Sequence, residues 1–232
     1  MDRELVDHLH RQSTWLRDSW LWILRDKVGI SGTEKALEVG CGAGHVMEIL
    51  AQHFDVAGID NDPDMVEICR SKGLDVQLAD AAELPFEDDS FDIVYCSFFL
   101  LWVDEPVKVL EEMARVSKSW VLCLGEPDYG GRIDHPPELE KLGQLLIDDL
   151  QSRGADPFIG RKLRDYFSRA GMEPEIGVHQ GVWPLEKLRR EITNELVWVP
   201  EAERPGLEKA IKDNEYSLFQ YNPVFYAISK IK

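Results

Sequence analysis

With 232 residues, a 44% hydrophobic share and a formal net charge of −17, the chain has enough material for one well-cored domain. No apolar run reaches the ~18 residues of a membrane span. The acidic balance opposes the basic surface that binding to phosphate backbones calls for, so nucleic acid is an unfavoured substrate.

In chain order, the first ~30 residues read as helix, with Leu5, Leu9, Leu16, Trp20 and Ile23 near helical spacing. Nothing there has a signal-peptide pattern, and a cytoplasmic location is the expectation. Gly29 and Gly32 end the segment. A strand over Lys35–Val39 then enters a glycine-rich turn, followed by a helix over Val46–His53. Val56–Ile59 is a second strand and Pro63–Lys72 a second helix. Val76–Leu78 is a third strand, and Phe91–Phe99 holds a fourth, with a continuous apolar run as a strand buried on both faces should have. Pro106–Val116 is a helix and Trp120–Leu124 a fifth strand. This alternation predicts a parallel sheet with helices on both faces.

The last third is different. Helices are expected over Leu139–Arg153 and Arg161–Ala170, and late strands over Ile176–Trp183 and Val224–Lys230. The ~40 residues between those strands greatly exceed a hairpin loop. They carry helical stretches at Leu185–Glu195 and Gly206–Asn214. The expectation is a cap, formed with the N-terminal helix, over the carboxyl ends of the strands; the alternative is extra core on the far side of the sheet. The four cysteines, Cys41, Cys69, Cys96 and Cys123, form no CxxC pair and no zinc-spaced cluster, which predicts reduced thiols and no metal. His8, His10, His53 and His179 have no partner pattern.

Three constellations carry chemistry. The first is Ala36-Leu-Glu38-Val-Gly40-Cys-Gly42-Ala-Gly44, a strand running into alternate glycines and then a helix. Glycines permit a tight turn and close approach of a ligand, and the helix start offers N–H groups to an anion. The third glycine of the dinucleotide fingerprint is replaced by His45. Glu38 would lie near a positive group. A ligand bearing both an ammonium and a carboxylate, such as the methionine part of S-adenosylmethionine, fits both features. The second is Asp60 at the end of strand two, where an acid accepts from ribose hydroxyls; Asn61 or Asp62 before Pro63 makes a good helix start. The third is Asp80-Ala-Ala-Glu-Leu-Pro-Phe86 leading to Phe91-Asp92-Ile-Val on strand four. The structural alternatives are a ligand-free turn, helix and loop caps at Asp60 and Asp80, and a backbone-bonded hydroxyl at Ser97.

Taken together, Lys35–Leu124 resembles the class I S-adenosylmethionine-dependent methyltransferases, most closely the ubiquinone and menaquinone C-methyltransferase-like (type 11) group. The resemblance implies a Rossmann-like, mostly parallel seven-stranded sheet with the last strand antiparallel. It implies that Glu38, Gly40, Gly42 and Gly44 surround the methionine moiety of S-adenosylmethionine and that Asp60 holds the ribose. Asn61 and Met65 would lie near the adenosine, Asp80 and Ala81 against the adenine, and Ser97 near the transferred methyl. The chain then reads as one methyltransferase domain: a helical cap (1–32), a cofactor core (33–125), and a substrate loop with late strands and insertion (126–232).

Beyond the core the resemblance fades. The polar loop after strand five supplies Asp128, Tyr129 and His135 as candidate catalytic groups. Trp15, Phe98, Trp102 and Arg132 are candidates to bind the acceptor. Trp20, Trp22, Phe99, Trp183 and Trp198 complete an aromatic set that fits a pocket or ordinary core. The reaction implied is an in-line methyl transfer to a small-molecule acceptor. The competing readings are a protein or RNA methyltransferase with the same cofactor, and an NAD-type oxidoreductase or non-catalytic nucleotide-binding module.

Overall fold

The computed structural model describes residues 10–179, 181 and 183–231. The expectations at Leu5, His8 and Leu9 lie outside the described residues. Residues 10–15 are helical, and the chain continues as α1 (Arg17–Trp22), a wider helical turn at Ile23–Val28 and a left-handed stop at Gly29.

The alternating pattern folds as expected. It runs β1 (Lys35–Val39), α2 (His45–Leu50), β2 (Asp55–Asp60), α3 (Pro63–Ser71), β3 (Asp75–Leu78), β4 (Phe91–Cys96), α4 (Pro106–Val116) and β5 (Ser117–Pro127). After these come β6 (Ile133–His135), α5 (Glu140–Ser152), α6 (Leu163–Arg169), β7 (Glu175–Val178), α7 (Leu185–Glu195), α8 (Arg204–Asp213), β8 (Phe219–Tyr221) and β9 (Val224–Lys230). Seven strands form one sheet in the order β3-β2-β1-β4-β5-β9-β7. Strands β1 to β5 pair in parallel, and β9 runs antiparallel to both β5 and β7. This is a Rossmann-like sheet, and its order reverses between β1 and β4. Ligands bind beyond the carboxyl ends of the strands at such a switch point.

The sheet is buried on both faces. On one, Val94, Cys96, Val121 and Cys123 pack with α4 and α6. On the other, Ile93, Tyr95, Leu122 and Leu124 pack with Trp20, Ile23 and Leu24. Trp20 is fully buried and its Nε1–H donates to the Leu124 carbonyl at 2.9 Å. The second half of the N-terminal segment is thus docked core and not a cover over the strand ends. The physical reason is the apolar stripe Trp20–Ile23–Leu24, which has the area to bury against the sheet.

The helical insertion forms a core of its own. Leu188, Ile192, Leu196, Val199, Leu207 and Leu218 cluster with Leu139 and Leu142 at the start of α5. Its apolar face is therefore spent on α5. Strands β6 and β8, which the sequence reading lacks, pair into a small two-stranded sheet beside it. Among the described residues, no helix is long and apolar enough to cross a membrane.

Candidate functional site

Beyond the carboxyl ends of β1, β2 and β4 lies a cavity of about 500 Å³. One wall is the glycine turn. The N–H groups of Gly40 and Cys41 both donate to the Ile59 carbonyl, at 2.9 and 3.0 Å, which bends the chain sharply off β1. Gly40 has φ +72, and a Cβ there would sit 2.0 Å from the Phe99 ring. Only glycine suits that combination.

Asp60 joins the turn to β2. Its Oδ2 accepts from Gly42 N–H at 2.7 Å and its Oδ1 from Asp62 N–H at 2.9 Å. Each oxygen keeps a second lone pair. Asp62, not Asp60, caps α3: its side chain accepts from Asp64 N–H, with Pro63 in the first turn. Asp60 is therefore available to the cavity while its neighbour serves the helix.

Two buried carboxyls face one another's field. Burial pushes the Glu38 carboxyl well above its ordinary range, against the Tyr95 hydroxyl that donates to Oε2 at 3.1 Å and with the charge of Asp60 adding to the rise. Burial also raises Asp60, opposed by its backbone N–H donors. A cationic ligand group relieves both. Two polar atoms on the cavity wall are buried without a protein partner, Ser97 Oγ and His45 Nε2. Burial first, and then Lys72, lowers the His45 pKa, so the ring is neutral. The cavity thus offers buried acids to a cation and unsatisfied polar atoms to a ligand's polar groups. That donor set fits S-adenosylmethionine.

The opposite wall is the turn after β4. The strand stops at Cys96, short of the expected Phe99, because Phe98 adopts φ +51 and its N–H donates to Gly125 O at 2.7 Å. A non-glycine residue in this left-handed region is strained, and such strain gathers at functional sites. The chain then makes a tight turn over Leu100–Trp102. Phe98, Phe99 and Trp102 line the cavity.

The expected cofactor residues Glu38, Gly40, Gly42, Asp60, Asn61 and Asp80 all line this cavity, as do Ala81 and Ser97. Asp80 Oδ1 also accepts from Ala82 N–H at 2.8 Å, which shapes the turn after β3. Gly44 and Met65 are not among the lining residues. At Gly44 a Cβ would meet Leu74 Cδ1 at 2.5 Å and Cys69 Sγ at 2.9 Å, so the glycine lets α2 start against α3. Met65 is buried with Val66 and Cys69 in α3.

The loop after β5 departs from its expected role. Asp128, Tyr129, His135 and Arg132 do not line the cavity. Both Asp128 oxygens are held by Arg161, at 2.6 Å each. Burial raises the Tyr129 phenol, which stays protonated. His135 is exposed on β6. Arg132 is the centre of a buried ion network: Nε donates to Asp134 at 2.7 Å, and Nη1 and Nη2 to Glu195 at 3.1 and 2.7 Å. Its stem lies against Gly143, where a Cβ would come within 2.8 Å. Arg132 thus joins β6 to α5 and α7, and Asp128 is tied to the turn before α6.

Trp15 does not line the cavity itself but packs edge-on against Phe98, with ring centroids 6.5 Å apart. The Trp183 ring centroid lies 5.3 Å from that of Trp15. Phe99, expected only as one of an aromatic set, also lines the cavity, and lining residues with no expected role include Gln12, Ser13, Cys41 and His45, with Val103 to Glu105. Cys41 and His45 sit inside the glycine motif and were legible there. Gln12 and Ser13 read as the polar face of an amphipathic helix and carry no local signal.

A family model described as a methyltransferase domain matches residues 37–123. The chain is 36% identical over 112 residues to the ubiquinone/menaquinone biosynthesis C-methyltransferase UbiE of Citrifermentans bemidjiense, covering 43% of this chain and 48% of the relative. The demethylmenaquinone methyltransferase of Oceanobacillus iheyensis is 34% identical over 127 residues, covering 49% of this chain and 51% of the relative. The chain thus spans about half the length of the curated relatives it matches. Among solved structures, an Archaeoglobus fulgidus SAM-dependent methyltransferase superposes with a TM-score of 0.61 at 19% identity, covering 99% of this chain and 100% of that one. The likeness in fold thus extends beyond the matched residues 37–123.

Proposed function

We propose that this chain, as a single methyltransferase domain over residues 1–232, is an S-adenosylmethionine-dependent methyltransferase acting on a small-molecule acceptor. The observation that carries the reading is the cavity at the switch point. It combines the glycine turn with the buried acids Glu38 and Asp60 and the unpartnered Ser97 Oγ. The relatives' names support methyl transfer, and the name of the Archaeoglobus fulgidus structure supports the cofactor. When bound, S-adenosylmethionine supplies a methyl group already activated as a sulfonium, so the protein's work is orientation and exclusion of water.

In this reading Glu38 and Ser97 would hold the methionine end and Asp60 the ribose hydroxyls. Asn61, Asp80 and Ala81 would border the adenine. Phe98 and Trp102, backed by Trp15, would form the acceptor side. No general base is assigned, because Asp128 is ion-paired and Tyr129 and His135 lie off the cavity. The net charge of −17 favours a small acceptor over RNA. A cytoplasmic location belongs to the same proposal.

Calorimetry tests the reading. S-adenosylmethionine and S-adenosylhomocysteine should bind and NAD should not; NAD binding without either sulfur ligand would overturn it. Incubation with methyl-labelled cofactor and a metabolite extract then identifies the acceptor by the fraction that becomes labelled.

A further inference from the structure

Glu126 is a carboxyl with no exposed surface, near the end of β5. It does not line the cavity. Its Oε1 accepts from the N–H groups of both Phe99 and Leu100, at 2.8 Å each. Those amides belong to the turn that ends β4 and forms the wall opposite the glycines. The same turn holds Phe98 at φ +51, and its Phe99 ring occupies the space that a Cβ at Gly40 would need. A buried carboxyl is an expensive way to satisfy two amides unless the turn must be held in one shape.

We propose that Glu126 is a positioning residue, fixing the Ser97–Trp102 turn through its two backbone bonds and thereby the shape of the cofactor cavity. The role rests on the methyltransferase reading above. Glu126 acts through Ser97, Phe98 and Phe99 and does not itself touch the cavity.

The surroundings make this anchor sensitive to its protonation state. Oε2 is buried with no hydrogen-bond partner. The thiols of Cys96 on β4 and Cys123 on β5 lie within 4.8 Å of a Glu126 oxygen and of each other. Tyr129, from the loop that follows, stays protonated by burial and feels the carboxylate. Against the Glu126 and Pro127 backbone packs Gly160, and the adjacent cations Arg161 and Lys162 are engaged by Asp128 and Asp156. No cation therefore compensates Glu126 among the described residues that face it. Burial pushes its pKa up to about 8, against the pull of the Leu100 and Phe99 amides. Near neutrality the carboxyl is protonated: one oxygen serves the two amides and the other carries the proton. Above that pKa a buried, uncompensated charge favours admission of water and loosening of the turn.

The test uses Glu126→Gln and Glu126→Ala in the full chain, with S-adenosylhomocysteine as the calorimetric probe. Amide hydrogen exchange at Phe99 and Leu100 is measured in the ligand-free protein. Gln keeps the double acceptor and cannot ionise. It should bind within about threefold of wild type near pH 7, and Ala should bind at least about tenfold more weakly, with fast exchange at both amides. From about pH 7 to about pH 9, wild-type affinity should fall relative to that of Gln at each pH, a ratio that cancels titration of the ligand. A folded Ala variant with wild-type affinity and slow exchange would overturn the role and leave the methyltransferase reading standing. Should Ala not fold, a Gln variant whose affinity tracks wild type across that range overturns it. Wild-type protein that does not bind the probe overturns the functional reading itself, and this role with it.

Discussion

Replacing Asp60 with alanine separates its two tasks, because one is visible in the protein alone. The carboxylate accepts from Gly42 and Asp62 N–H. Asp62 is exposed, so its amide finds water, whereas Gly42 is partly buried beneath the turn. Leaving one partly buried amide unsatisfied costs about 1–3 kcal/mol. Burial has raised the Asp60 pKa, so removing the charge returns part of that. A net stability loss of about 1 kcal/mol follows, with the helix start kept by Asp62 and Pro63. The loss of cofactor affinity should be larger. Two charge-assisted bonds to ribose hydroxyls are worth about 1.5–3 kcal/mol each, so S-adenosylhomocysteine should bind at least about a hundredfold more weakly. Urea unfolding gives the first number and calorimetry the second. A folded Asp60→Ala protein with undiminished affinity would refute the ribose assignment.

Other expectations follow from the buried charges. Arg132→Ala should destabilise by about 3–5 kcal/mol in urea melts, because Asp134 and Glu195 are left buried and unpaired; in the folded fraction, S-adenosylhomocysteine affinity should be unchanged, since Arg132 does not line the cavity. Glu126 has a folded pKa of about 8, above its unfolded value, so the folded state binds more protons and stability falls as pH rises from about 4.5 to 8. Glu126→Gln should flatten that fall, gaining up to about 5 kcal/mol over wild type at high pH, read from urea midpoints. Burial lowers His179 to about 4, so the unfolded state binds more protons below its own value and stability is lost as pH falls from about 6.5 to 4. His179→Gln should remove up to about 3 kcal/mol of that acid sensitivity, measured as the difference between urea melts at the two ends of the range. Trp20→Ala should cost about 3–5 kcal/mol in the same melts, because Trp20 is fully buried in the sheet-face core.

The parallel core was legible because its signals are local. Alternating helical and apolar runs place β1 to β5, and Pro106–Val116 and Leu185–Glu195 begin and end where their periodicity does. The glycine turn and Asp60 were legible for the same reason. What escaped depends on long-range pairing. Three-residue strands such as Ile133–His135 and Phe219–Tyr221 have too short a pattern to register and exist because they pair with each other. That Arg132 and Asp128 are ion-paired away from the cavity escaped for the same reason. A polar residue in a loop at the carboxyl end of a sheet looks functional until its partner is known. Glu195 lies 63 positions from Arg132, and Arg161 lies 33 from Asp128. Glu126 was in view only as one member of a polar loop, and its bonds to Phe99 and Leu100 cross from β5 to the turn after β4.

The N-terminal segment shows how a cap and a core need not be alternatives. Its second half is fixed by Trp20, by Ile23 and Leu24, and by Ser19 Oγ, which lies 2.6 Å from His179 Nδ1. The other His179 nitrogen and the Trp20 indole both meet the Leu124 carbonyl, at 2.7 and 2.9 Å. Burial keeps His179 neutral above about pH 4, so one ring nitrogen accepts and one donates. With Leu124 as acceptor, Nε2 carries the hydrogen and Nδ1 accepts from Ser19. The segment is therefore clamped to β5 just before Gly125, whose carbonyl receives Phe98 N–H. From that fixed base, Gln12 and Ser13 reach the cavity and Trp15 reaches Phe98 and Trp183. Covering the site is thus a property of residues 10–15 carried on a helix whose remainder is core. The local apolar pattern is continuous across the two halves, which is why the sequence alone does not separate them.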